Sequence, residues 1–158
     1  MPHIHEKIDF TVEVFIVYKN KVLLRKHDKY KLWMSVGGHI ELDEDPIVAA
    51  IREVKEEVGL DIVLYNKNDL TKLNDSVSTE LIPPIFINRH YLNQDQKHEH
   101  VTLVYFSKAS NDNLVFPDNK EKSEECKWFT IEEIDNPEFG INNRVKEYAK
   151  TALQTLGE

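Results

Sequence analysis

The hydrophobic positions change period along the chain. Residues 10–18 (FTVEVFIVY) are crowded with β-branched and aromatic side chains and predict a strand. Lys19, Asn20 and Lys21 form a polar turn, and residues 22–26 predict the returning strand of a hairpin. Residues 33–38 then lead into a segment of helical period, where Ile47, Ile51, Val54 and Val58 make one apolar stripe for the core. Asp45 places a carboxylate at the N-cap, Pro46 suits the first helical position, and Gly59 suits the left-handed position just past the end. Residues 85–92 and 100–107 predict two further strands, and residues 127–129 a short one. Thr130 followed by Glu133 matches a capping box that opens a short helix. Asn143 caps a last helix, in which Val145, Tyr148, Ala149, Ala152, Leu153 and Leu156 fall at helical spacing. Residues 66–80 and 109–125 are polar and aperiodic, and read as irregular loops of the kind that often carry function. Strands mixed with two substantial helices predict one layered α/β (α+β) domain over residues 1–158.

Composition narrows the function classes. A length of 158 residues suffices for a real core. The formal net charge of −8 argues against binding a nucleic-acid polymer, which needs basic patches. It permits a phosphorylated small molecule if a cation bridges the two negative partners. Cys126 is the sole cysteine, so no internal disulfide forms and a reducing compartment is expected. No apolar run resembles a signal peptide or spans a bilayer, so the expected location is cytoplasmic, without a membrane partner. Oligomeric state is open, a homodimer included.

The helical segment carries an unusual charge pattern. Glu56 and Glu57 lie three and four residues after Glu53, so both neighbour it on the helix surface. Their mean direction lies about 140° from the apolar stripe at 100° per residue. Like charges repel, and near a helix C-terminus the dipole adds to the cost. Arg52 is spaced to pair with Glu56, and Lys55 is the one lysine interleaved among them. Gly37 and Gly38 upstream let a backbone carbonyl approach a ligand closely. A solvated acidic face is the plain reading of such a cluster. Hard oxygen donors beside an open carbonyl are also what Mg²⁺ or Mn²⁺ prefers, and a bound cation would remove the repulsion.

These residues carry a family resemblance. Gly38 is followed by five residues and Glu44, then by seven residues and the run Arg52-Glu53-Val54-Lys55-Glu56-Glu57-Val58-Gly59-Leu60. Every fixed position of the Nudix box is met. Seven fixed identities at average residue usage give a chance match on the order of one in a billion starts. The stretch therefore resembles a complete Nudix box, and the resemblance extends over most of residues 10–134.

The resemblance implies a Nudix fold, a mixed β-sheet sandwiched between helices. It implies hydrolysis of a nucleoside diphosphate linked to another moiety, with Mg²⁺ or Mn²⁺ as cofactor. By position, Glu53, Glu56 and Glu57 would hold metal with the Gly38 carbonyl. Glu53 or Glu57 would act as the base, and Arg52 would orient a box glutamate. Glu44 would support the loop and reach a second metal. Gly37 and His39 flank the metal carbonyl and, with Glu44 and Glu125, are candidate substrate contacts. Many relatives carry proline before the paired glycines, where this chain has Val36, a change of loop stiffness more than of chemistry. Two rivals share the fold: a non-catalytic nucleotide-binding module, favoured by a broken box, and an isomerase of isopentenyl diphosphate type. The latter needs a cysteine upstream of its box, whereas Cys126 lies downstream.

Other residues invite chemistry less specifically. His3 and His5, and His98 and His100, alternate by two, so each pair would share one face of a strand and offer metal or phosphate contacts. His100 is the stronger candidate for the substrate, because in the family its strand runs beside the metal site. Glu121, Glu124 and Glu125 sit where family members often supply one more acidic group. Lys19, Lys21, Arg25, Lys26, Lys29 and Lys31 form a basic stretch that would receive phosphates or simply protect a hairpin edge. Trp33, Phe86 and Tyr91 are stacking candidates for a base, each equally at home in a core.

Overall fold

The structure, a computed structural model, describes residues 4–27, 30–92, 95, 97–116 and 125–158. Its centre is two eleven-residue strands lying parallel, β1 (Ile8–Tyr18) and β7 (Glu99–Ala109), in register from Ile8 opposite Glu99 to Val17 opposite Lys108. Both are rich in β-branched and aromatic residues, which suit a pleated surface buried on two faces. The outer flank of each is shared by two short antiparallel partners. β4 (Val36–His39) pairs with Thr11–Val14 of β1, and β2 (Lys21–Lys26) pairs with its far end. β6 (Phe86–Tyr91) takes the first half of β7, and β5 (Ile62–Leu64) takes the last. β3 (Trp33–Met34) and β8 (Glu125–Phe129) both pair with β2 and complete an eight-stranded mixed sheet.

Helices cover both faces. Val12, Val14 and Ile16 of β1 pack with Val36, Leu23 and Tyr105 against α1 (Pro46–Val58). The alternate residues Phe15 and Val17 pack with Val104, Phe106 and Phe129 against α2 (Ile131–Asp135) and α3 (Asn143–Leu156). Fully burying a side chain such as Phe15 or Ile16, both 0% exposed, contributes about 1.5–3 kcal/mol. The mixed sheet between helices is the expected fold.

Local signals placed most elements. Asp45 Oδ1 accepts the N–H groups of Ile47 (2.8 Å) and Val48 (3.0 Å), and Gly59 closes α1 with φ 71° and its N–H on the Lys55 carbonyl at 3.1 Å. The capping box is reciprocal, with Thr130 N–H donating to Glu133 Oε2 at 2.9 Å and Glu133 N–H to Thr130 Oγ1 at 3.3 Å. The last helix is capped one residue earlier than expected, because the Asn142 side chain, and not that of Asn143, accepts the Val145 N–H. Residues 66–80 hold only a single 3₁₀ turn, Thr71–Leu73. β5 gave no sequence signal, since three residues are too few for alternation to register.

One expectation about α1 is corrected. Its buried residues are Ala49, Ala50, Glu53, Val54 and Val58, whereas Ile51 is 47% exposed. The packing face is turned roughly 75° from the aliphatic stripe at 100° per residue. Two alanines let the helix approach the sheet closely, and the turn carries Glu53 and Glu57 toward β4. Periodicity treats a glutamate as a surface residue. Here Glu53 is 3% exposed because an arginine accompanies it.

Candidate active site

The site is built where α1 crosses β4. Gly37 lies opposite Glu13 and Gly38 opposite Val12 in the β1–β4 ladder. A Cβ on Gly37 would stand 2.0 Å from the Val12 carbonyl oxygen, and one on Gly38 would stand 2.3 Å from Glu53 Oε1. The first glycine therefore serves the sheet. The second leaves room for a carboxylate against the backbone. Gly37 N–H donates to Glu57 Oε2 at 3.4 Å, so both glutamates lean on the glycine strand.

Arg52 organises the loop. Its Nε and Nη2 grip both carboxylate oxygens of Glu44, with Nε to Oε2 at 3.0 Å. Nη1 donates to Glu53 Oε1 (2.9 Å) and Glu56 Oε2 (3.2 Å), and Nη2 to the His39 carbonyl (3.0 Å). The Glu44 hydrogen bond, together with the charge of Glu53, holds the guanidinium firmly protonated against the opposing effect of burial. The same bond holds the Glu44 carboxyl below its usual range. Glu44 Oε1 also accepts the Glu41 N–H at 2.9 Å, closing the loop on itself. Such charge-assisted, two-pronged bonds fix geometry as well as adding energy.

The three glutamates do not share one outward face. Glu53 is buried, the Glu57 side chain is 10% exposed, and that of Glu56 is 51% exposed, at the rim. Glu57 has a partner from the basic stretch of residues 19–31. Arg25 Nη2 of β2 lies 3.2 Å from Glu57 Oε1. Lys55 is drawn away to Asp61 at 2.9 Å.

The remaining candidates lie away from the box glutamates. His100 lies on the sheet face opposite α1, its ring 5.0 Å from that of His39 and 5.7 Å from that of His98. Burial and the neighbouring histidines push its pKa down to about 4. His39 likewise turns its ring to that face, while its carbonyl serves Arg52. Period-two alternation does put His98 and His100 on one face, but that face is not the one the box glutamates occupy. Glu125 is exposed at the start of β8, opposite Lys26. Glu121, Glu124, His3 and Lys29 lie outside the described residues, and His5 is exposed. Trp33 is core, edge-on to Phe129 at 4.9 Å, Phe86 stacks on Tyr148 at 4.6 Å, and Tyr91 is 47% exposed. Cys126 is distant from the box in sequence, yet it pairs across strands with Arg25.

Two acidic residues were missed outright. Asp9 is completely buried in β1. Burial opposes its ionisation, but the N–H groups of His5 and Ile4 and the nearby His39 and His98 outweigh this and lower its pKa. Glu13 faces α3, where burial raises its carboxyl to about 7 against the opposing charge of Arg144. Each is a single acidic residue inside a strand, a position with no motif to announce it.

Comparison with known proteins gives a consistent picture. The family model described as NUDIX domain matches residues 9–150. A Haemophilus influenzae protein named dihydroneopterin triphosphate diphosphatase is 42% identical over 73 residues, 46% of this chain and 46% of that protein. The chain thus spans about half the length of that curated relative. A Lactococcus lactis protein named "Probable DHNTP pyrophosphohydrolase" is 24% identical over 135 residues, 85% of this chain and 70% of that one. A crystal structure of a hydrolase of this family from Clostridium perfringens superposes with a TM-score of 0.83 at 38% identity, covering 94% of this chain and 97% of that chain. Among the described residues no helix is long and apolar enough to cross a membrane.

Proposed function

The chain belongs to the NUDIX family, and from that membership we propose that it is a divalent-metal-dependent pyrophosphohydrolase of a small-molecule diphosphate. The observation that carries this reading is the contact between the glycine strand and the carboxylate helix: room for Glu53 against Gly38, and the Gly37 N–H on Glu57.

The residues fit Mg²⁺ or Mn²⁺. Glu53 and Glu57 offer hard oxygen donors beside the Gly38 peptide, and Glu56 adds a third carboxylate at the rim. Glycine at position 38 leaves the space that any side chain would fill. When bound, the cation supplies charge neutralisation at the phosphoryl oxygens and a nucleophile at neutral pH.

The protein's own groups do the rest. Water attacks one phosphorus, the bond to the bridging oxygen breaks, and the leaving phosphate carries that oxygen away. Glu57 or Glu53 takes the proton of the attacking water at a carboxylate oxygen. Arg52 and Arg25 each pin one of these two glutamates, so neither needs to reorganise as charge develops. Arg25 is a positioning residue and Arg52 the keystone of the loop.

The substrate class is an aromatic heterocycle carried on a polyphosphate, of nucleotide or nucleotide-sugar type. Relatives from Haemophilus influenzae and Escherichia coli are named for dihydroneopterin triphosphate, a pterin ring on such a chain, which supports this reading. The test is a Mg²⁺ and Mn²⁺ turnover screen over nucleoside triphosphates, nucleotide sugars, dinucleoside polyphosphates, ADP-ribose and dihydroneopterin triphosphate, with products identified by phosphorus NMR. One class should be cleaved well above the others, and chelator should abolish release. A screen with no metal-dependent cleavage of any compound would contradict the proposal and favour a nucleotide-binding module.

A further inference from the structure

On the sheet face turned away from α1, strands β1, β4 and β7 bring together Asp9, His39, His98 and His100. Asp9 sits directly opposite His100 in the parallel ladder, and His100 opposite His90 on its other side. His98 Nε2 lies 3.1 Å and His39 Nε2 3.2 Å from Asp9 Oδ2. A ligand atom from each of Asp9, His98 and His100 falls within 4.8 Å of the others. Asp9 and His98 are 0% and 6% exposed, so water offers them little.

The hydrogen-bond chemistry of His98 points to a cation. Its Nδ1 is 3.2 Å from the Glu6 carbonyl oxygen, which can only accept, so Nδ1 carries hydrogen. Nε2 is then the ring atom turned to the carboxylate, and a proton or a metal ion between it and Asp9 Oδ2 makes the 3.1 Å contact favourable. A backbone carbonyl that fixes Nδ1–H and so aims Nε2 is how proteins orient a histidine ligand. A second observation is independent of the first. His100 Nε2 is buried with no hydrogen-bond partner, an arrangement that ordinarily carries a desolvation penalty.

We propose that Asp9, His98 and His100 form a second metal site, separate from the box glutamates and selective for Zn²⁺ over Mg²⁺. His39 donates its Nε2–H to Asp9 and orients it, leaving a buried Nδ1 without a partner. Two imidazoles and one carboxylate are a borderline-soft set that suits Zn²⁺, whereas Mg²⁺ prefers oxygen ligands and retained water. The 3.1 Å between Asp9 Oδ2 and His98 Nε2 comes close to the roughly 3.3 Å edge of a tetrahedron with Zn–N bonds near 2.0–2.1 Å, and the His100 atom lies within 4.8 Å of both. Asp9 also borders a cavity of about 310 Å³, with Ile4, His5, Phe10, Ile40 and Pro46.

Metal here would fasten the segment before β1, whose Ile4 and His5 N–H groups donate to Asp9, to the centre of the sheet. It would also steady His39, whose carbonyl holds Arg52. This site does not depend on the hydrolase reading.

The test uses the full chain freed of metal by chelator and then loaded with Zn²⁺. Bound zinc per chain is measured after gel filtration, and melting temperature is followed with and without zinc. Co²⁺ serves as an absorbance probe of nitrogen ligation. Wild type should retain one zinc and melt higher with it. The E53Q/E57Q variant should behave in the same way. His98→Gln and His100→Gln should each lose the retained zinc, the zinc-dependent rise in melting and the Co²⁺ spectrum, with the metal-free circular dichroism of wild type. Because His100 Nε2 has no hydrogen bond to lose, H100Q is the variant that keeps the fold. Zinc retention unchanged in both histidine variants, loss of zinc in the E53Q/E57Q protein, or no zinc retained by wild type would each overturn the proposal.

Discussion

At the scale of single residues, neighbouring positions with the same side chain serve different ends. A methyl group on Gly37 meets the backbone of Val12, which cannot yield, whereas one on Gly38 meets the end of a glutamate. Gly37→Ala should therefore destabilise the fold by about 1–3 kcal/mol, as overpacking does. Gly38→Ala should leave denaturant unfolding near wild type while weakening Mg²⁺ binding, which calorimetry reads directly. Glu13 gives a pH signature. Its folded pKa of about 7 lies above the ordinary value of 4.5, so between those values the native state keeps a proton that the unfolded chain has released. Stability falls as pH rises through this window, by at most about 3 kcal/mol, and the cost is complete above it. Glu13→Gln should melt higher than wild type at pH 8 and match it at pH 4.5; equal melting at both values would show the carboxyl is not held neutral. The box residues were legible because their spacing is a motif. Asp9, Glu13 and Arg25 were not, because each acquires its meaning from a strand distant in sequence.

At the scale of elements, capping and turn chemistry read through almost unchanged, since Asp45, Gly59 and Thr130 act on their own backbone neighbours. Asp45→Ala should cost about 1 kcal/mol in denaturant unfolding by freeing the N–H groups of Ile47 and Val48. The orientation of α1 did not read through. Helical period found four aliphatic positions, but the helix packs on the sector holding Ala49, Ala50 and Glu53, because burial of a carboxylate is decided by Arg52 and the glycine strand. Arg52 joins the loop before the helix to the helix itself. Removing it leaves Glu44, 8% exposed, without its main counter-charge. Arg52→Ala should destabilise by about 3 kcal/mol, toward the low end for a broken buried pair because the arginine is 27% exposed. A Lys at this position should recover stability only in part, since it cannot grip both oxygens of Glu44.

At the scale of the whole molecule, the sheet supplies what local sequence cannot. The parallel pairing of β1 with β7 joins residues some ninety positions apart, and no period or cap encodes it. That pairing sets two polar centres on opposite faces: the box glutamates under α1, and the Asp9 histidine cluster on the side of α3. The layered α/β class and the family were readable from the strands and the box. The second centre was visible only as two alternating histidines. The hydrolase reading rests on Glu53 and Glu57 acting together at the glycine strand. Its most direct test is the Mg²⁺-dependent turnover of Glu53→Gln and Glu57→Gln on the substrate class the screen identifies, with melting and circular dichroism recorded beside it. Each variant should lose about 10²-fold or more of kcat while the fold persists, and near-wild-type turnover in both would contradict it.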